Sequence, residues 1–388
     1  MTIVSSPGPT VRQVSGKDPE GCHILSVLAK RTYRVRTDGH CELTEEQQPL
    51  CEEPQDDDKT GCLAMDCDLY PFKLATDVVV RGNAWAPNQL PRSKFTSRVS
   101  VGGCQKSLLV MGNRKCTSSA TGRPVISEPE VIEKVPLDLS RAYGGRDRLM
   151  EQRNGNPFLA LQPYLVGHQW DLNAASPYVY PRNPFGTGYL IEGTRESFEQ
   201  LALPNLEDPA DLLGPDRLSA GHPGMWMRMP IPHSTDWLDY RCFPRHAYLG
   251  IIPYSEPFNE ELPESVRGFA PNGLLDDGNM PDDLISLRLA SGASLGLQIP
   301  FLQGGEIVEL QNLHASQSLM RIRLPKERPL IWTDGRKGKL AGTNPVIHSL
   351  IIEPDAAILN IVWRGSSQAL RPYLPEELEK MPLKVEWN

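Results

Sequence analysis

The chain is 388 residues long and carries a formal net charge of -8 with a pI near 5.6, a balance that argues against the basic surface of a nucleic-acid-binding module, so no nucleic-acid partner is expected. Its 36 prolines and 32 glycines break long helices and favour short strands joined by turns. The length suffices for a large core and exceeds the usual single-core size, so more than one β unit is expected.

Residues 1–20, with Ser5-Ser6-Pro7-Gly8-Pro9, read as a loose lead-in. They carry neither the basic n-region nor the apolar h-region of a secretory signal, and the apolar run Ala356 to Leu359 is far too short to cross a bilayer. A soluble, cytoplasmic protein with no membrane partner is expected. His23 to Arg36 follows as a long strand, with Tyr33 and Val35 on one face and Arg34 and Arg36 on the other, and Asp38-Gly39 turns it into Cys41 and Leu43. The acidic run Glu52 to Asp58 reads as a solvated loop. The 8 cysteines are too few for a disulfide scaffold. Five of them, Cys22, Cys41, Cys51, Cys62 and Cys67, crowd the first 67 residues without a Cys-x-x-Cys pair, which favours reduced or buried thiols over a zinc site.

The clearest strand signal runs from Asp77 to Arg114. Val78, Val80 and Ala84 alternate with Val79, Arg81 and Asn83, and Phe95, Val99 and Val101 alternate with Thr96, Arg98 and Ser100. Gly102-Gly103 supplies the positive φ of a tight hairpin before Lys106 to Met111 returns. Three antiparallel strands seeding one sheet are expected, inside an N-terminal β unit over residues 21–123. Across residues 124–246 the periodicity fades into a loop-rich connector dense in aromatics. Strand patterns return over residues 247–388. Glu306 to Leu313 pairs with Leu319 to Leu324, with Met320, Ile322 and Leu324 inward and Arg321 and Arg323 outward. Leu330 to Thr333 ends near Asp334-Gly335. Ser349 to Glu353 and Ile358 to Trp363, joined by Pro354-Asp355, are apolar on both faces and so form a buried hairpin. Pro375 to Met381 begins like a short helix. The expected fold is mainly β, with two packed antiparallel sheet units, sandwich- or barrel-like, and few short helices.

Chemistry is sparse. Gly292-Ala-Ser294-Leu-Gly296 has the spacing of a hydrolase nucleophile elbow, and Asp334 and His348 follow in an order that would complete a triad. Such an elbow needs a helix after its serine, whereas Leu295 to Pro300 alternates and meets proline, so a glycine-rich turn is favoured over a serine hydrolase. His222, His233 and His246 share no helix face on which metal ligands would gather, and Asp276-Asp-Gly-Asn279 with Asp282-Asp283 lacks the closing glutamate of a calcium loop. No glycine loop ends in the Lys-Ser or Lys-Thr that cradles phosphate. No catalytic residue, metal or cofactor is expected.

One ordered set of segments is more specific. It runs Asp77-Val-Val-Val with Gly82 and Ala84-x-Ala86-Pro87, Leu109-Val-Met-Gly112-Asn-Arg114, Arg141-Ala-Tyr143-Gly144-Gly145, and Asn183-Pro184-x-Gly186-x-Gly188. It continues through Leu203-Pro204-Asn205-Leu-Glu207-Asp-Pro209, Gly305-Glu306, Leu324-Pro325, and Pro354-Asp355 before Trp363-Arg364-Gly365. In this order the segments resemble the domain-of-unknown-function family 2169. The chain departs from that pattern after Trp226, where His233-Ser-Thr-Asp236 is followed at once by Trp237, and residues 247–302 form an enlargement. The resemblance implies a non-enzymatic adaptor or chaperone of bacterial type VI secretion, which binds a secreted toxic effector and helps load it onto the spike-tip protein. Such a protein would hold its partner with rigid aromatics on turn-rich loops, here Trp170, Tyr178, Tyr180 and Phe185, bracketed by Tyr143-Gly-Gly145 and Asn183-Pro-Phe-Gly186.

Overall fold

Twelve strands build the two main sheets of the computed structural model, which describes residues 9–154, 178–199, 201–242, 245, 290–334 and 339–388. They are β1 (Val11–Lys17), β2 (His23–Val35), β3 (Cys41–Leu43), β4 (Thr76–Val80), β5 (Lys94–Val101) and β6 (Cys104–Met111). After them come β7 (Leu206–Glu207), β8 (Gln298–Ile299), β9 (Ile307–Gln311), β10 (Leu319–Arg323), β11 (Val346–Glu353) and β12 (Ile358–Gln368). The larger, seven-stranded sheet has the order β1-β2-β12-β11-β4-β8, with β3 beside β2. The smaller has the order β7-β6-β5-β9-β10. Both sheets are open. Each takes strands from before residue 124 and from after residue 290, so the pairing crosses the sequence segments 21–123, 124–246 and 247–388.

The predicted hairpins form where their turn residues stand. Gly102 and Gly103, at φ +59 and +81, close β5 onto β6, with Val101 opposite Cys104. β11 and β12 are joined by a single 3-10 turn over Pro354–Ala356, and Ala357 then takes the left-handed φ of +54. β10 alternates as expected: Met320 and Ile322 are buried, and so is Leu324 just beyond it, while Arg321 and Arg323 are exposed. One expectation is corrected. β4 does not join the β5–β6 hairpin in one sheet; it lies in the larger sheet, parallel to β11, with Ser349 opposite Asp77 and Ile352 opposite Val80. The reason is its composition. Val78, Val79 and Val80 are consecutive and fully buried, which suits a strand covered on both faces, whereas the hairpin strands alternate.

The two sheets enclose one apolar core, in which Val99, Leu108, Val110, Leu310 and Ile322 meet Tyr33, Leu350, Ile361 and the fully buried Trp363. A three-stranded sheet made of Leu340–Gly342, Pro329–Asp334 and Lys384–Trp387 adds Ile331 against Val27 and Ala29. Leu50 and Leu69 cover Leu28 and Val362. Charged residues of the same covering segment are paired rather than solvated. Asp68 meets Lys30 at 2.9 Å, Lys73 meets Asp77 at 2.6 Å and Asp66 meets Arg245 at 2.8 Å, with every side chain at most 1% exposed. Three short α-helices occur among the described residues, Arg148–Asn154, Arg195–Glu199 and Pro375–Leu378; the last is shorter than its sequence suggests. None is long and apolar enough to cross a membrane.

Candidate functional site

The glycine segments that stand apart in the sequence meet in space. Tyr143-Gly144 runs parallel to Thr187-Gly188. Thr187 N–H donates to the Ala142 carbonyl at 3.1 Å, Tyr189 N–H to Gly144 at 2.9 Å, and Gly145 N–H to Asn183 at 2.7 Å. Asn183 is fully buried between them. Its amide donates to the carbonyls of Leu139 at 2.7 Å and Tyr143 at 3.1 Å, while its oxygen accepts from Phe185 N–H at 3.2 Å. The chains approach so closely that a Cβ on Gly144 would lie 2.2 Å from the Asn183 oxygen, and one on Gly145 would lie 2.3 Å from the Gly186 oxygen. Gly144 and Gly145 also sit at φ +150 and +90, which a side chain would strain.

The segment containing Pro204, Asn205 and Glu207 fastens this junction to the smaller sheet through β7. Asn205 N–H donates to the Arg141 carbonyl at 2.8 Å, and its own carbonyl accepts from Met111 N–H at 2.8 Å. Glu207 is buried; it accepts from the Arg114 guanidinium and, at 2.8 Å, from Leu213 N–H, while Arg114 also donates to the Pro204 carbonyl at 2.6 Å. Each of these groups would be costly to leave unpaired at this burial, by about 1–3 kcal/mol.

The aromatic residues divide. Tyr180 is fully buried, with ring centroids 5.2 Å from Tyr143 and 5.1 Å from Tyr189. Its hydroxyl donates to the Pro230 carbonyl at 2.8 Å and accepts from Arg182 at 3.0 Å. The expectation that Tyr180 lies on a contact surface is therefore corrected, because a ring at 0% exposure packs the interior and offers a partner no area. Burial pushes the phenols of Tyr143, Tyr180 and Tyr189 up from their ordinary range, so they stay neutral. Tyr178 and Phe185 are half-buried. Phe185 lies 4.9 Å beneath the Arg241 guanidinium, which also holds Asp56 at 2.8 Å and Asp239 at 2.6 Å. Trp170 lies outside the described residues.

Beside the junction a cleft of about 580 Å³ opens. Main chain of Gly144, Gly145, Gly186 and Gly188 contributes to its wall, Leu149, Phe185 and Leu201 add apolar surface, and Arg146 and Arg148 add charge. Asp147 also faces it, but this carboxylate is buried and accepts from Met150 N–H at 3.1 Å and Ile191 N–H at 2.9 Å. The arrangement is a shaped recess; of its lining hydroxyls, Thr60 donates to the Asp57 carboxylate at 3.0 Å and Ser197 to the Glu192 carbonyl at 2.8 Å. A family profile described as an uncharacterized protein family conserved in bacteria, DUF2169, matches residues 20–364. The chain belongs to DUF2169. No curated protein and no solved structure matches it.

In this DUF2169 member the Gly-x-Ser-x-Gly segment is a turn between strand-like pieces. Ser294 is buried and its hydroxyl donates to the Asp236 carbonyl at 2.7 Å. Leu297 N–H closes the turn onto the Ser294 carbonyl at 2.9 Å, Gly296 takes φ +84, and β8 follows where an elbow would need a helix. His348 sits at the register break between β11 and β12, and neither ring nitrogen has a hydrogen-bond partner, so it bonds neither Ser294 nor Asp334. Burial, with Lys73 and Arg364 near it, drives its pKa well below the ordinary value. Among the described residues the cysteines are free, and no three metal-ligating side chains gather. His246 and Asp276 to Asp283 lie outside the described residues.

Sequence reasoning missed a cluster at the far end of β6. Lys106 is buried and donates to the Leu295 carbonyl at 2.6 Å; burial lowers its pKa to about 7. His233 shares its Nε2 with the Ser107 carbonyl at 2.8 Å, and burial, with the Lys106 charge second, lowers it to about 4. Asp208 stands 3.9 Å from its Nδ1. The signal was available, since Lys106 occupies the same inward face of β6 as Leu108 and Val110.

Proposed function

We propose that this DUF2169 member is a non-enzymatic adaptor of bacterial type VI secretion, which holds a secreted toxic effector in the cytoplasm and helps load it onto the spike-tip protein. One observation carries this reading. Its motif residues Gly144, Gly145, Asn183, Gly186 and Gly188 are engaged in close main-chain packing, and what they frame is an open cleft instead of an activated side chain. Holding a partner without chemistry asks for a rigid frame around a concave surface, with a few aromatic anchors at hand. Phe185 lines that surface, and Tyr178 stands next to it, its carbonyl accepting from Asp147 N–H at 2.8 Å.

The test is co-purification. A Tyr178→Ala/Phe185→Ala variant, first checked for an unchanged melting temperature, is expected to recover several-fold less effector than the unaltered chain from a host carrying the complete secretion locus. Recovery at the unaltered yield would remove these anchors from the contact. Rapid labelling of Ser294 by a fluorophosphonate would overturn the non-enzymatic reading, because only a base-activated serine reacts readily.

A further inference from the structure

We infer that Arg364 anchors a binding site for a carboxylate group, held edge-on to its guanidinium. The other buried cations of known surroundings have partners. Lys30, Lys73, Arg114 and Arg245 meet the buried carboxylates of Asp68, Asp77, Glu207 and Asp66 in turn, and Lys106 donates to a carbonyl. Arg364, on β12 and 5% exposed, stands apart. Its Nε and Nη1 are buried without a hydrogen-bond partner among the described residues. Burial lowers its pKa to about 10, and no nearby acid raises it. A buried charge left alone is strongly unfavourable, and a bound water would satisfy its N–H groups without balancing the charge.

The surroundings restrict what fills this gap. The Arg364 Cζ lies 3.9 Å from the ring centroid of Phe72 and 5.4 Å from that of Phe301, and both rings are half-buried. A guanidinium donates in its own plane, so a partner must approach its edge and not a ring-covered face. Nη2 is the one nitrogen that is not enclosed. It shares one edge of the plane with Nε and another with Nη1, so an entering group meets two parallel N–H donors. That fork matches the two oxygens of a carboxylate. Charge makes the same choice, because a monoanion balances one guanidinium whereas a phosphate dianion would bury a second, unanswered charge. His348 lies within electrostatic reach but is held neutral, with both ring nitrogens unpartnered, and Lys73 is already engaged by Asp77 and Ser349. Neither supplies a second free cation. The inference is independent of the adaptor reading.

Thermal unfolding of the full chain tests it, at pH 8 and an ionic strength fixed with sodium chloride, with sodium acetate as the probe. A ligand of the folded chain raises the melting temperature, so the unaltered chain is expected to gain with acetate until the site fills, and Arg364→Met to lose that saturating gain. Effects of the anion on water act on both chains and cancel in the comparison. Arg364→Lys keeps the charge but not the fork, and should need a several-fold higher acetate concentration for the same rise; it decides the matter if Arg364→Met does not fold. A second arm uses a Gly-Glu-Gly peptide with blocked ends. Saturation at a lower concentration than acetate assigns the carboxylate to a side chain of another polypeptide, and saturation by acetate alone assigns a free small acid. Three results would each overturn the inference: no saturating gain with either probe, an equal gain in Arg364→Met, or a larger Arg364-dependent gain with sodium phosphate than with acetate.

Discussion

The core around Trp363 and the junction around Asn183 are equally buried but are built on opposite principles. Trp363 fills space, its ring packed between two sheets and its indole N–H without a partner. What matters there is apolar volume, which related side chains can supply in part. The junction depends on atoms that are missing, because Gly144 and Gly145 let two chains pass where a Cβ would lie 2.2 to 2.3 Å from a carbonyl oxygen. A sheet core thus degrades by degrees, whereas a main-chain junction has almost no conservative substitution. The segments around Gly144 and Asn183 fall in the second kind of region, whereas Trp363, from the same ordered set, belongs to the first.

Removing the Trp363 ring should give the largest effect, about 3–5 kcal/mol of destabilisation for Trp363→Ala through the cavity left behind. Trp363→Phe should cost less than half as much, since it keeps most of the apolar contact and deletes an unpaired N–H. Urea unfolding midpoints of the two variants measure the gradation, and equal destabilisation would erase the distinction drawn for the core. Gly144→Ala comes next, with an expected cost of about 2–4 kcal/mol from steric overlap and a backbone held at positive φ. That would be nearly the cost of deleting an indole, from adding one carbon; a melting temperature unchanged by Gly144→Ala would refute it.

The smallest effect concerns Lys106, which belongs to neither principle. Its folded pKa of about 7 lies below its ordinary 10.5, so between those values the unfolded chain holds a proton that the folded chain has released. Stability must then rise with pH across that interval. His233 and Asp236, shifted to about 4 and about 6 with opposite signs, act at lower pH, and Cys51 and Cys67, raised to about 11, act the other way above pH 9. The clean window is therefore pH 7 to 9, where a gain of about 1–2 kcal/mol is expected. Lys106→Met should flatten it, as read from unfolding midpoints at each pH, and an equally steep rise in that variant would assign the effect elsewhere.

Local signals were legible and partners were not. The Gly102-Gly103 hairpin, the alternation of Met320, Ile322 and Leu324, and the doubly apolar β11–β12 pair follow from turn chemistry and side-chain period, which are properties of adjacent residues. Which sheet receives β4 does not follow. Three consecutive valines specify that both faces are covered and say nothing of the neighbour. Nor does the sequence pair Lys73 with Asp77, whose contact at 2.6 Å is buried beneath the covering segment. Within the site, the glycine positions stood out in the sequence but their purpose did not. Tyr180 was grouped with Tyr178 and Phe185 by composition, whereas its burial depends on Tyr143, Tyr189 and Trp226 arriving from three separate segments.

The pairing of β2 with β12 has a temporal side. From Ile24 opposite Gln368 to Arg34 opposite Ile358, the longest strand among the described residues is zipped to one that the ribosome makes about 320 residues later. At about 5–20 residues per second, that is roughly 15 to 65 seconds during which β2 waits on its partner. Few contacts of such range can form early, so folding should be slow and the nascent chain open to mispairing along an apolar edge. A stop codon just before Ile358 would remove a strand from the middle of the sheet, leaving β2 and β11 each with a bare edge, and would so be far more damaging than the small number of missing residues suggests. A protein proposed to keep another chain in a deliverable state thus passes through a prolonged need for protection itself.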